Sequence, residues 1–194
     1  MKTVTSIKGF ALIFLLYLLF FLPEVLLADN KVDLVLYAGQ AIHDDFKDIF
    51  LHQPNTYVPS YIYVAALNYT LDAKIRDLRF EAEAQAAKHE GIQNHWETNV
   101  LLIARLTFFQ NHFPCSIAFG DGISYAWKTP TLPEEHPPTK LLNYMMVEVD
   151  AGPAGIDWQP RFLIRIHHRS GIFGTYCDDT CGSNFIVFGI KTAF

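Results

Sequence analysis

The chain has 194 residues, of which 51% are hydrophobic, 14% aromatic and 18% charged. This length fits one domain of ordinary size, and the apolar content excludes an intrinsically disordered chain. The net charge of -5 leaves no basic stripe to meet phosphates, so we expect no binding of nucleic acid.

The N-terminus has the organisation of an export signal. Two lysines precede an unbroken apolar run from Phe10 to Phe21, and small and then polar residues follow it. This order is typical of a secretory signal peptide, with cleavage after Ala28. The alternative is an uncleaved membrane anchor, but a proline and a glutamate interrupt the apolar stretch. We therefore predict a signal peptide at residues 1–28 and one mature domain at residues 29–194.

The rest of the chain contains eight segments in which apolar and polar residues alternate, the period of a strand with one apolar face. In chain order, the apolar faces begin at Val32, Tyr61, Leu78, Val100, Ile117, Leu141, Phe162 and Ile186. The third segment is rich in alanine and glutamate, which favour helix, but its strict two-residue alternation favours a strand. Eight strands of about ten residues predict an all-β, eight-stranded antiparallel up-and-down barrel.

The alternation alone does not say whether the apolar faces point inward, as in a soluble lipocalin-like carrier, or outward to lipid. Three features favour an outer-membrane barrel: connections that alternate in length, aromatic residues near strand ends, and an apolar-alternating last strand that ends in Phe194. We expect short connections near residues 72–76, 111–114 and 152–157, and long ones near residues 44–59, 88–95, 128–140 and 171–183.

In a membrane barrel the polar faces line the interior, where charges are costly unless they are paired. If the connection near residues 152–157 closes a hairpin, Glu148 lies near Arg161 and Tyr144 lies near Arg165. We expect such pairs to be structural, because side chains fill the lumen of an eight-stranded barrel. The other expected members of this interior network are Arg79, Glu81, Glu83 and Arg105.

Recognisable metal and cofactor motifs are missing from the sequence. It contains no HExxH motif, no CxxC pair and no glycine-rich phosphate loop. His167 and His168 are adjacent on a predicted strand, so they point to opposite faces and do not share an ion. Most other histidines fall in predicted loops or strand ends, where an exposed surface position is the default. We therefore expect no metal and no cofactor, and we interpret Asp121, between two glycines, as part of a β-bulge that turns it inward.

The seventh segment carries two polar residues in its apolar register. The face that holds Ile166 continues to His168 and Ser170, two residues apart on one side of the strand. Such residues are expensive in hydrocarbon and tolerated near the membrane interface. A histidine beside a serine acts as a base toward its hydroxyl, which makes this pair a candidate esterase site. The alternative is a non-catalytic barrel with a structural or adhesion role, in which both residues only touch lipid headgroups.

The segment from Arg165 to Gly171, together with the closing strand, resembles the PagL family of lipid A deacylases. Members of that family are eight-stranded outer-membrane barrels with a serine–histidine esterase site on the penultimate strand. The resemblance implies that Ser170 is the nucleophile and His168 the general base. It also implies hydrolysis of an acyl ester of lipid A, the lipid part of lipopolysaccharide, in the bacterial outer membrane.

The chain departs from the family pattern at two positions. The family has an asparagine after the serine to help the oxyanion, whereas this chain has Gly171, whose backbone N–H is the candidate donor. The family has an acid at the start of the last strand to orient the histidine, whereas this chain has Asn184 there. Asparagine has that role in Cys-His-Asn enzymes. Asp178 and Asp179, in the preceding loop, are the other candidates.

The same loop contains two of the three cysteines. Cys177 and Cys181 are spaced to close a small disulfide in an oxidising compartment, where it would either hold an acid near His168 or only stiffen the loop. Cys115 has no evident partner. The expected partners of the protein are lipid A and the outer membrane, and a homo-oligomer is one possible assembly.

Overall fold

The computed structural model describes residues 31–44, 46, 49, 56–107, 115–132, 139–152, 160–172, 175–177 and 181–193. The predicted signal peptide, residues 1–28, lies outside the described residues, as do Asp178, Asp179 and Phe194. Within the described residues, no helix has the length and apolar character needed to cross a bilayer.

Eight antiparallel strands close into a single barrel, because each pairs with its neighbours in sequence and β8 pairs with β1. The strands are β1 (Val32–Ile42), β2 (Tyr57–Ile75), β3 (Leu78–Gly91), β4 (Trp96–Leu106), β5 (Cys115–Ala126), β6 (Leu141–Ala151), β7 (Arg161–Ser170) and β8 (Gly182–Ala193). The predicted eight-stranded up-and-down barrel is confirmed. The alanine- and glutamate-rich β3 is a strand because β2 and β4 pair with its two edges, which outweighs a weak intrinsic preference for helix.

The two faces of the barrel wall differ sharply in polarity. On the outside, Leu102 and Phe162 are 66% and 68% exposed, whereas Glu83 and Arg165 are buried in the lumen. The strand residues that form the exposed apolar outer surface include Leu36, Tyr61, Tyr63, Leu67, Val100, Leu102, Ile117, Phe119, Ile123, Tyr125, Phe162, Ile164, Phe188 and Ile190. A soluble barrel has the opposite arrangement, so the apolar faces point outward, as an outer-membrane barrel requires.

Paired charges fill the lumen. Arg105 donates to Glu81 at 2.7 Å and to Glu148 at 2.8 Å, while Arg165 lies 2.5 Å from Glu83 and 2.6 Å from Glu148. All five side chains are almost completely buried. Pairing of this kind offsets the desolvation of each charge and ties four strands together across the lumen. The predicted interior positions of Glu81, Glu83 and Arg105 are confirmed.

The register between β6 and β7 differs from the predicted one. Glu148 lies opposite Arg165 rather than Arg161, and Tyr144 lies opposite Arg169 rather than Arg165. The prediction assumed a tight hairpin, but the connection between these strands is longer, and the pairing is displaced by four residues.

The predicted alternation of short and long connections holds only in part. The connection from β3 to β4, expected to be long, contains only residues 92–95. The remaining connections are residues 43–56, 76–77, 107–114, 127–140, 152–160 and 171–181. Because β3 and β4 extend further than predicted, His89 and His95 lie inside the barrel, 0% and 4% exposed, and not on an exposed loop.

Candidate functional site

A group of polar side chains interrupts the apolar outer surface on four consecutive strands. These residues are Asp121 on β5, Asn143 on β6, His168 and Ser170 on β7, and Asn184 on β8. Strand pairing places His168 directly opposite Asn184, and Ser170 directly opposite Asn143. The strands therefore bring together His168, Ser170 and Asn184, the catalytic residues predicted from the sequence. They also bring Asp121 and Asn143 to the same surface, two residues that were not predicted to belong to the site.

Asn184 orients the imidazole of His168. Its Oδ1 lies 2.6 Å from His168 Nδ1, and its Nδ2 donates to the backbone carbonyl of Asp44 at 2.9 Å. Because a carbonyl oxygen only accepts hydrogen bonds, this second contact determines which end of the amide faces the histidine. Nδ1 of His168 therefore carries the proton, and Nε2 keeps a lone pair. The Phe46 ring packs against the imidazole, with 4.6 Å between ring centroids.

Ser170 shares the outer face of β7 with His168. Residues two apart on a strand are about 6.6 Å apart along the chain, so their side chains meet only by leaning toward each other. On β8, Gly182 lies opposite Ser170 and has a φ of +150°, a conformation that side-chain-bearing residues rarely adopt. A Cβ atom built on Gly182 would clash with the Arg169 carbonyl oxygen of β7, so the close pairing beside Ser170 requires glycine.

A disulfide occupies the space beside Gly171. The structure joins Cys177 to Cys181, and a Cβ atom built on Gly171 would lie 2.7 Å from Cys181 Sγ and 3.0 Å from the Cys177 carbonyl oxygen. A side chain does not fit there, so the asparagine that follows the serine in the PagL family pattern has no room in this chain. Among the described residues, Cys115 on β5 is a free cysteine.

Asn143 and Asp121 extend the polar group away from Ser170. Nδ2 of Asn143 donates to Asp121 Oδ1 and to the Gly122 carbonyl, both at 2.9 Å. These two acceptors hold the amide nitrogen toward β5. The amide oxygen is buried and has no hydrogen-bond partner among the described residues. Asn143 thus presents an unused acceptor, and not a donor, on the strand that borders Ser170.

The predicted bulge at Asp121 is wrong. The pairing of β5 with β4 and β6 runs without a register shift through this residue, and the side chain is exposed on the outer face. Hydrogen bonding to Asn143 accounts for a carboxylate at this position. A signal for Asn143 was present in the sequence, because it interrupts the apolar face between Leu141 and Met145 just as His168 and Ser170 interrupt the face of β7.

Comparisons with known proteins support the fold and no finer conclusion. No protein-family model matches the sequence, and no curated protein does. A solved structure described as the outer membrane enzyme PagL matches with a TM-score of 0.57 and 12% identity, over 84% of this chain and 99% of that chain. At this identity the likeness concerns architecture alone: this chain is an eight-stranded antiparallel barrel built like that of an outer-membrane enzyme.

Proposed function

We propose that the protein is an outer-membrane esterase that removes an acyl chain from lipid A, with Ser170 as nucleophile, His168 as general base and Asn184 as the residue that orients the base. The observation that carries this proposal is the 2.6 Å contact between Asn184 Oδ1 and His168 Nδ1 on the outer face, beside a serine. A purely structural surface would not need a histidine held in one tautomer two residues from a serine on the same strand face.

The proposed reaction follows serine-esterase chemistry. Nε2 of His168 accepts the Ser170 hydroxyl proton while Oγ attacks the ester carbonyl. The tetrahedral intermediate collapses as the imidazolium returns that proton to the leaving alcohol, which leaves an acyl-serine. A water molecule, deprotonated by the same histidine, then releases the fatty acid and restores the hydroxyl.

Stabilisation of the oxyanion needs an N–H donor near Ser170. Both hydrogens of the Asn143 amide are used by β5, so that side chain offers only an oxygen. We assign the donor role to the backbone N–H of Gly171.

The membrane placement explains how such a site would meet its substrate. The apolar outer surface fits a bilayer, and the predicted signal peptide would direct export. His168 and Ser170 lie at the end of β7 next to the long connection at residues 171–181. If long loops face outward, this end lies in the outer leaflet, where the acyl esters of lipid A are found.

The test is mass spectrometry of lipid A from a Gram-negative host that expresses the full chain. Wild type is compared with Ser170→Ala and with the matched control Ser183→Ala, whose serine lies near the same end but faces the lumen. Outer-membrane insertion is confirmed for each variant by heat-modifiable gel migration.

We expect wild type and Ser183→Ala to remove one acyl chain, and Ser170→Ala to remove none. Loss of the acyl chain in all three would place the nucleophile elsewhere. Intact lipid A with all three inserted proteins would contradict the esterase proposal and favour the non-catalytic barrel.

A further inference from the structure

A second polar cluster lies inside the barrel, at the end where β3 and β4 are connected. His89 is near the end of β3, His95 is in the connection, and Glu97 is near the start of β4. All three side chains are buried, and His95, the most exposed of them, is only 4% exposed. One ring nitrogen of each histidine and one carboxylate oxygen of Glu97 lie within 4.8 Å of one another.

The hydrogen-bonding capacity of this cluster is only partly used. Neither Nδ1 of His89 nor Nε2 of His95 has a hydrogen-bond partner in the part of the chain that the structure describes. Both amide atoms of the fully buried Gln93 are likewise without a described partner. Buried polar groups are normally satisfied by protein, water or an ion, so these unpaired atoms point to a bound ion or water.

The donor set is suited to one class of ion. Imidazole nitrogen and carboxylate oxygen are the non-thiolate ligands of zinc, which binds both at about 2.0–2.2 Å. Nε2 of His89 and Oε2 of Glu97 are 3.0 Å apart, a separation that allows both to bind one ion at roughly a right angle. The ring of His95 stacks on His89, with 4.3 Å between centroids and 12° between planes. Its ligand atom thus lies within 4.8 Å of the other two and has to move closer to complete the site.

The surrounding groups hold the carboxylate in place. Oε1 of Glu97 accepts from Asn99 at 2.8 Å and lies 3.0 Å from His167 Nε2. An ion would therefore bind Oε2 and take the place of its present contact with His89 Nε2. Arg169 lies 3.4 Å from Oε2 and opposes a cation, but its guanidinium also donates to Ser124 and to the Lys140 carbonyl. Nδ1 of His89, without a partner in the described part of the barrel, can hold the ring proton when Nε2 binds an ion.

We propose that His89, His95 and Glu97 form a binding site for one divalent cation of the zinc class, with water completing the coordination. This site does not depend on the proposed esterase, because its residues line the lumen whereas Ser170 and His168 face outward.

The test uses the full-length barrel, refolded in detergent and freed of metal with a chelator. Zinc is titrated calorimetrically, and bound zinc is counted by mass spectrometry after gel filtration. Cobalt is then substituted, because its visible absorption reports nitrogen and oxygen coordination. The variants are His95→Ala, Glu97→Gln and the matched control His43→Ala, whose histidine is exposed near the same end of the barrel. His95 lies in a connection, so its replacement removes no strand residue.

We expect one zinc per barrel for wild type and for His43→Ala. His95→Ala and Glu97→Gln should bind at least about tenfold more weakly, since even residues that only support a ligand cost that much. The absence of zinc binding by wild type would overturn the proposal and leave water as the partner of these unpaired atoms. Equal affinity of wild type and a folded His95→Ala variant would also overturn it, because the ion would then lie elsewhere.

Discussion

Replacement of Arg165 by methionine tests whether the lumen network stabilises the barrel. The guanidinium is fully buried and lies 2.5 Å from Glu83 and 2.6 Å from Glu148. After its removal, Glu148 keeps Arg105 at 2.8 Å. Glu83 keeps only neutral donors among the described contacts, Gln85 at 2.7 Å and Asn68 at 3.2 Å.

The variant therefore leaves one uncompensated carboxylate in a buried site. Loss of one partner from a buried ion pair costs about 3–5 kcal/mol, and we expect Arg165→Met to lower the free energy of unfolding by that amount. Adding Glu83→Gln removes the stranded charge while keeping a hydrogen-bonding side chain. The double variant should therefore be more stable than the single one, with a coupling of about 1–3 kcal/mol.

The measurement is urea unfolding of the refolded barrel in lipid vesicles, followed by tryptophan fluorescence. Arg76→Met, in the exposed connection between β2 and β3, makes the same chemical change outside the lumen and should leave the midpoint unchanged. An Arg165→Met variant with the wild-type midpoint and slope would refute the reasoning. So would a double variant that is less stable than the single one, because the stranded charge would then not be the cause of the loss.

Three further predictions concern the outer face. Asn184→Leu removes the acceptor for His168 Nδ1 and should lower kcat for acyl-ester hydrolysis by at least about 10²-fold. Asn184→Asp keeps an acceptor and should retain most activity, so equal activity of the two variants would contradict the orienting role. Asn143→Ala should change kcat by less than about tenfold, because β5 holds the Asn143 amide nitrogen and leaves no donor for the oxyanion. A loss of about 10²-fold or more, typical of an oxyanion donor, would contradict the assignment of that role to Gly171. Leu102→Arg, on the outer surface, should destabilise the barrel in vesicles by about 2–4 kcal/mol, and an unchanged unfolding midpoint would show that this face does not contact hydrocarbon.

The alternation of residue types determined the number of strands and the face on which each side chain lies. A strand has a period of two whatever its neighbours are, so the outward positions of His168, Ser170 and Asn184 follow from counting along β7 and β8. The same argument applied to β3, where alternation correctly outweighed the helix preference of alanine and glutamate. These properties are local, and a single sequence contains them.

Which residues meet across strands was decided only by the tertiary structure. Register depends on the exact length of each connection and on how pairs fit around the closed barrel, so a wrong connection length displaced Glu148 by four residues from its true partner, Arg165. For the same reason the sequence did not place Asn143 beside Ser170.

Burial at the strand ends was also decided by the tertiary structure. The sequence suggested exposed loop positions for His89 and His95, but the longer β3 and β4 enclose them with Glu97. Strand alternation assigns a residue to one side of the wall, whereas closure of eight strands decides how far the wall extends and which polar groups meet inside it.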